Sequence, residues 1–330
     1  MECLPKIELH LHLDCSLSYG VVSRLDPSIS REQYEQEFIA PPRCTSLADF
    51  LTRAPRGFQL MQSEDSLRLV VEDLFEQLAG DGVVYAEIRF APLLHTLRGM
   101  DAERIVAVVD RATENCIRST GIEARLILCT LRHFSAAQGL ETARLVERFQ
   151  GSRVTALDLA GDEKRFAIEA HVPAFRHAIE HGLSRTAHAG EARGAESVWE
   201  TLREVQPSRI GHGVRSAEDA SLLDYLRKER IHLELCPSSN VQTCAVASYA
   251  KHPVDSLYHS GVPLGISTDA RTITNISLSE EYRRLREHFG WGRAEFLACN
   301  LEALRAAFVE DSVKFSLSQK LNDEYSKTKA

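Results

Sequence analysis

The segment Pro5-Lys6-Ile7-Glu8-Leu9-His10-Leu11-His12-Leu13-Asp14 places two histidines one residue apart at the end of an apolar run. Side chains alternate faces along a β-strand, so this spacing points both imidazoles to the same side. Two neutral imidazoles on one rigid face are half of a zinc site, and bound zinc can generate hydroxide at neutral pH. The segment has a plainer reading, a strand whose histidines happen to alternate, because histidine is an ordinary strand residue as well as the commonest metal ligand. The two readings separate only if the rest of the chain supplies the missing ligands.

Outward from that strand, short apolar runs alternate with longer amphipathic segments. Strands are predicted at 6–13, 83–90, 124–130, 154–160, 185–188, 208–211, 231–236 and 262–268, where β-branched content and Gly, Pro or Asp borders favour strand over buried helix. Helical spacing of apolar residues predicts helices at 66–78, 102–117, 140–149, 172–179, 197–205, 219–228 and 278–289. Eight strands alternating with helices is the pattern of an α/β chain forming a (β/α)₈ TIM barrel, with an open doubly wound sheet as the alternative. A chain of 330 residues suits one such domain spanning 1–330.

Two segments depart from the rhythm. Residues 15–65 are far too long for a βα loop and carry Phe38, Phe50, Phe58, Leu60 and Met61, so a lid over the barrel mouth is expected. Residues 310–330 are polar and mildly helical, which predicts a C-terminal helix with a frayed tail.

Composition narrows the function. A net charge of −8 without basic runs argues against a nucleic-acid surface and favours small neutral substrates. The eight cysteines form no CxxC pair or dense framework, which reads as reduced thiols in a cytoplasmic protein. Neither an export signal nor an apolar run long enough to span a membrane is present in the sequence, and no obligate protein partner is indicated.

In the barrel fold, catalytic groups gather at the carboxyl ends of several strands. Those ends carry His10, His12 and Asp14; Asp158, Gly161, Asp162 and Glu163; His188 and Glu191; His212; Cys236 to Asn240; and Asp269. Taken singly, each has a bland account: a rim histidine, a turn glycine, a helix cap or a helix N-terminal charge. Together they put the donors of a metal site and two proton-transfer groups at one mouth.

The stretches Pro5 to Asp14, Asp158-Leu159-Ala160-Gly161-Asp162-Glu163, Thr186 to Glu191, Ile210-Gly211-His212-Gly213 and Ser267-Thr268-Asp269 resemble, in order, the signature segments of the purine nucleoside deaminases. The resemblance runs from about the fifth residue to about the three-hundredth. It implies a (β/α)₈ barrel, one Zn²⁺ held by His10, His12, His188 and Asp269, and hydrolytic deamination of adenosine or deoxyadenosine to inosine and ammonia. It further implies that a protonated Glu191 serves purine N1, that His212 takes or orients the proton of the attacking water, and that Asp269 accepts a hydrogen bond from it. Gly161 would meet purine N3 through its backbone N–H, and His12 and Asp14 would line the ribose.

Two departures from the family pattern bear on the substrate. A second aspartate usually follows the metal-binding one and contacts purine N7, whereas this chain reads Asp269-Ala270-Arg271. Arg271 is the candidate replacement donor, since a guanidinium always donates; a solvated surface arginine is its plainer account. Cys15 stands where a glycine is usual. Deaminases of adenine, N6-methyl-AMP, aminodeoxyfutalosine or 5′-substituted adenosines therefore remain open, as does a silent binding protein on the same barrel. Two-metal relatives need a bridging group, often a carbamylated lysine, on the fourth strand, where this chain has Ala156-Leu157-Asp158-Leu159-Ala160. The other histidines, His177, His181 and His252 among them, have no ligand-like company at the strand ends and are read as structural.

Overall fold

Eight parallel strands are hydrogen-bonded in chain order in the computed structural model, which describes residues 4–327. They are β1 (Lys6–His12), β2 (Val83–Phe90), β3 (Glu123–Leu131), β4 (Val154–Ala160), β5 (Ser184–Ala189), β6 (Arg209–His212), β7 (His232–Leu235) and β8 (Leu264–Ile266). All eight expected strands are present. The sheet comes full circle through Leu11 and Asp269, where His12 N–H donates to Asp269 O at 2.8 Å and Asp269 N–H donates to His10 O at 3.0 Å. The residues that join the first strand to the last are thus the candidate ligands themselves. The result is a (β/α)₈ barrel.

The expected helices form at Glu64–Gly80, Ala102–Thr120, Ala136–Arg148, Val172–Glu180, Ala195–Glu204, Ala220–Lys228 and Leu278–Phe289. Serine caps with reciprocal bonds begin the first and third of these, through Ser63 and Ser135. One long helix, Arg293–Ala306, was not foreseen. Its buried stripe of Phe296, Cys299, Ala303 and Leu304 is interrupted by Asn300, which looks polar in sequence but is spent internally, accepting Ile7 N–H at 2.7 Å.

One irregularity in β1 reverses a sequence-level expectation. Glu8 pairs with Ala86, and Leu11 pairs with Ile88, with a register shift between them. Ala86 and Ile88 share one face of β2, so Glu8 faces with Leu11 rather than with His10. Glu8 therefore lies on the outer side of the barrel wall, while His10 and His12 face inward.

Inside the barrel, the core is ionic. The fully buried Arg89 donates to Glu234 at 2.7 Å, to Leu9 O at 2.7 Å and to Asp158 at 3.3 Å. Arg209 donates to Glu234 at 2.7 Å and to Glu87 at 2.5 Å. Each charge has a partner of opposite sign, which is what makes burial of so many tolerable. The apolar core lies between strands and helices.

Residues 15–65 fold into short helices at Tyr19–Leu25, Arg31–Glu37, Leu47–Leu51 and Ala54–Leu60. The segment is tied to the loops after β7 and β8 by Cys44 N–H to Gln242 O at 2.9 Å and Ala40 N–H to Ile273 O at 2.8 Å. The terminal helix Asp311–Ser326 packs through Leu317, Leu321 and Tyr325, and the expected frayed end at 328–330 lies outside the described residues. No helix among the described residues is long and apolar enough to cross a membrane, and seven cysteines among them are free thiols.

Candidate active site

The donors expected from three separate segments converge at the carboxyl ends of the strands. His10, His12, His188 and Asp269 offer one ligand atom each, all within 4.8 Å of one another. His10 Nε2 and His12 Nε2 each lie 3.4 Å from Asp269 Oδ1, and His12 Nε2 lies 3.2 Å from His188 Nε2. Asp269 reaches in because its backbone is left-handed at φ 66°, a conformation unusual for a residue with a side chain and characteristic of functional sites; His212 is similar at φ 60°.

The far side of two of the imidazoles is fixed. His10 Nδ1 meets Glu234 at 2.9 Å and His188 Nδ1 meets Asp158 at 3.2 Å. A carboxylate accepts, so each Nδ1 carries the proton and each Nε2 turns its lone pair toward the cluster. His10 Nε2 is buried with no hydrogen-bond partner. Burial drives His12 well below the ordinary histidine pKa, which keeps it neutral. Ser239 donates to Asp269 Oδ2 at 2.6 Å, leaving Oδ1 toward the imidazoles. Three imidazoles and one carboxylate converging on one point, with His10 Nε2 left unpartnered, fit a metal ion, and the nitrogen-rich mixed donor set suits Zn²⁺.

Glu191 and His212 stand together at the rim of this cluster, with His212 Nε2 3.6 Å from Glu191 Oε2. Burial, then the charges of Asp269 and Glu163, push the Glu191 carboxyl well above the usual range, which favours its protonated form. Its loop is anchored by Glu163, whose carboxylate accepts the N–H groups of Gly190 at 2.8 Å, Glu191 at 3.1 Å, Ala192 at 2.7 Å and Arg193 at 3.0 Å, together with the Ser197 hydroxyl.

His212 is held in one tautomer from behind. Val254 N–H donates to His252 Nδ1 at 3.0 Å, so neutral His252 carries its proton on Nε2 and donates to Asn240 Oδ1 at 3.2 Å. The Asn240 amide N–H then faces His212 Nδ1 at 3.1 Å, which leaves the His212 proton on Nε2, toward Glu191. Burial keeps both rings neutral, lowering His252 to about 3 and His212 well below its usual value.

A cavity of about 390 Å³ opens beside the cluster, lined by His12, Asp14, Gly161, Phe58, His133 and Arg165 among others. Gly161 has φ 100°, which a residue with a Cβ would adopt only under strain, and its backbone forms part of the wall. Asp14 is buried, and desolvation raises its carboxyl to about 6 despite a bond from Ala91 N–H. Ala48, Leu51, Thr52, Pro55 and Phe58 from the 15–65 segment form the apolar side of the cavity.

Arg271 is not brought to this cavity. Its guanidinium donates to Glu8 at 2.5 Å and Asp81 at 3.0 Å on the outer side of the wall, with the residue only 5% exposed. Both bland and functional expectations for it fail: it is neither a solvated surface arginine nor placed to meet a purine, because the register shift in β1 carries Glu8 outward and Arg271 follows its partner. Ala270 packs instead with Leu47, Phe50 and Ile273 in a small apolar cluster. Sequence reasoning also passed over Glu234, a lone carboxylate in an apolar strand, and the Asn240–His252 link, which joins the short helix Pro237–Gln242 to a residue outside any helix and leaves no periodic signal.

A parallel barrel with an inward cluster of three imidazoles and a carboxylate at its catalytic end, and a buried glutamate beside it, defines a barrel hydrolase with a candidate metal site. The chain belongs to the adenosine deaminase family, whose profile matches residues 5–324, and such enzymes act on C–N bonds in cyclic amidines. It is similar to the adenosine deaminase of Clostridium acetobutylicum, 33% identical and covering 97% of each chain. In structure it resembles adenine deaminase from Arthrobacter aurescens, with a TM-score of 0.90, 26% identity and 97% of this chain and 98% of that one covered. It also resembles the N6-mAMP deaminase of arabidopsis, with a TM-score of 0.86, 26% identity and 98% of both chains covered.

Proposed function

We propose that this chain is a zinc-dependent adenosine deaminase, converting adenosine or deoxyadenosine and water to inosine or deoxyinosine and ammonia, with one Zn²⁺ per chain. The observation that carries the reading is the conjunction, at one end of the barrel, of the four converging donors with a buried Glu191 whose carboxyl is raised well above its usual range. His10, His12, His188 and Asp269 would hold the ion. Zinc bound there would lower the pKa of a coordinated water from about 15.7 to about 7.

The chain's own groups supply the rest. The Gly161 backbone N–H orients purine N3, and Glu191 delivers its proton to N1 as attack at C6 breaks the aromatic ring. His212, with its proton on Nε2, donates to the attacking oxygen and orients it, while Asp269 accepts that oxygen's hydrogen. The amino group takes the hydrogen that Asp269 accepts and departs from C6 as ammonia, leaving the C6 oxo group, and the water's other proton returns to Glu191. His12 and Asp14 line the ribose side, and the apolar residues at 48–58 exclude water from the purine.

A second reading is favoured by one feature. His133 and Arg165 line the same cavity, and a cation there would suit a 5′-phosphate, as in a nucleotide substrate. A spectrophotometric panel of adenosine, deoxyadenosine, adenine, AMP and N6-methyl-AMP, with and without chelator and with metal analysis, tests both. Highest kcat/KM for adenosine, lost with chelator and restored by zinc, is expected. Preference for a nucleotide replaces the first reading with the second, and turnover indifferent to metal removal overturns both.

A further inference from the structure

Away from the barrel mouth, the helices Ala136–Arg148 and Val172–Glu180 pack side by side. Near their carboxyl ends, Glu147, His177 and His181 bring one ligand atom each to within 4.8 Å of the others. His177 and His181 are four residues apart, hence on one helical face. Their rings stack at a centroid separation of 4.0 Å and an interplanar angle of 27°.

Hydrogen-bond direction fixes what these rings present. His181 Nδ1 lies 2.8 Å from His177 O. A carbonyl only accepts, so Nδ1 carries the proton and Nε2 of the neutral ring presents a lone pair. That lone pair lies 3.5 Å from Glu147 Oε1, while His177 Nε2 lies 2.8 Å from Glu147 Oε2. A simple His–Glu ion pair needs only one imidazole. Here two rings direct Nε2 at one carboxylate. In a tetrahedral site with bonds of about 2.0–2.1 Å, neighbouring donor atoms lie about 3.3 Å apart, a spacing that ligand atoms already within 4.8 Å of one another reach with small side-chain adjustments.

We propose that Glu147, His177 and His181 form a peripheral site for a divalent transition metal ion of the zinc type, with the remaining position open to water. His181 precedes β5, whereas His188 stands near the opposite end of that strand. Six strand residues at about 3.3 Å each put roughly 20 Å between this site and the catalytic cluster. An ion here touches no substrate. It staples two neighbouring helices, and binding only to the folded state raises stability.

Isothermal titration of zinc into the zinc-loaded enzyme and its His181→Ala and Glu147→Gln variants tests this. The parent should take up one more equivalent than His181→Ala, with affinity at least tenfold weaker in both variants. Its Tm should rise with added zinc where the variants' do not, and turnover should be equal in all three. The count is a difference between parent and variant, so it does not depend on what the barrel mouth holds. No additional equivalent in the parent, or one retained within twofold in both variants, overturns the proposal.

Discussion

Asn240 donates from its side-chain amide to His212 Nδ1 at 3.1 Å, and that single bond decides what His212 can do. With Nδ1 occupied as an acceptor, the proton sits on Nε2, facing Glu191 and the metal cluster. The ring is then an orienting donor rather than a base, which narrows the two roles its position in the sequence allowed. Asn240→Asp replaces the donor by an acceptor and calls for the opposite tautomer. We expect kcat to fall by about 10²-fold, within the range of a misplaced acid or base group, with KM changed less than threefold. Steady-state kinetics with the metal content checked decides it; a variant with parental kcat would show that the tautomer does not matter.

Glu163 makes a comparable contribution to Glu191. Its carboxylate accepts four consecutive backbone N–H groups, from Gly190 to Arg193, and the Ser197 hydroxyl. Glu163→Gln would turn an amide NH₂ toward donors, and bonds to a charged acceptor are worth about 1.5–3 kcal/mol each. Turnover should drop at least tenfold and the melting temperature should fall, whereas Ser197→Ala, which removes one bond, should do much less. Equal effects from the two variants would show that the loop does not depend on the charge of Glu163.

The barrel was legible because its strands are apolar runs with clear borders, and because the site residues fall at strand ends that the topology must bring together. His10, His12, His188, Glu191, His212 and Asp269 could therefore be placed before any coordinate was known. What stayed hidden depends on pairing between distant segments. The register shift between Glu8 and Leu11 is set by β2 and has no signature in β1 alone. The contacts of Asp158 with His188 and of Glu234 with His10 were not foreseen, because each imidazole comes from another strand. His252 looked idle for the same reason, since its partner Asn240 is twelve residues away in the short helix Pro237–Gln242.

The raised pKa of Glu191 links activity and stability. In the proposed mechanism its protonated form is the proton donor, so turnover should hold below its folded-state pKa and decline as pH rises through it. The sign for stability is the same. Burial first, then Asp269 and Glu163, raise the carboxyl in the folded state, so the unfolded chain ionises at a lower pH. Above the ordinary glutamate value near 4.3, the unfolded state binds fewer protons, and stability contributed by this group falls as pH rises. Glu191→Gln should cost about 10²–10⁴-fold in kcat yet melt no lower than the parent at neutral pH. A marked loss of Tm would show that the carboxyl holds the fold rather than a proton.

Arg271 and Ala270 make opposite predictions for substitution. Arg271 is paired with Glu8 and Asp81 inside the protein, so Arg271→Ala leaves two buried carboxylates without their cation. Breaking such a pair costs about 3–5 kcal/mol, and the loss should show in denaturant unfolding. Ala270, in contrast, offers N7 no side-chain donor and packs in an apolar cluster. A purine lacking N7 should then bind nearly as well as one possessing it. The inhibition constant of 7-deazaadenosine should lie within about tenfold of the KM for adenosine, since one neutral hydrogen bond is worth about 0.5–1.5 kcal/mol. Weakening well beyond tenfold would reveal another donor facing N7 and reopen the choice among adenine-containing substrates.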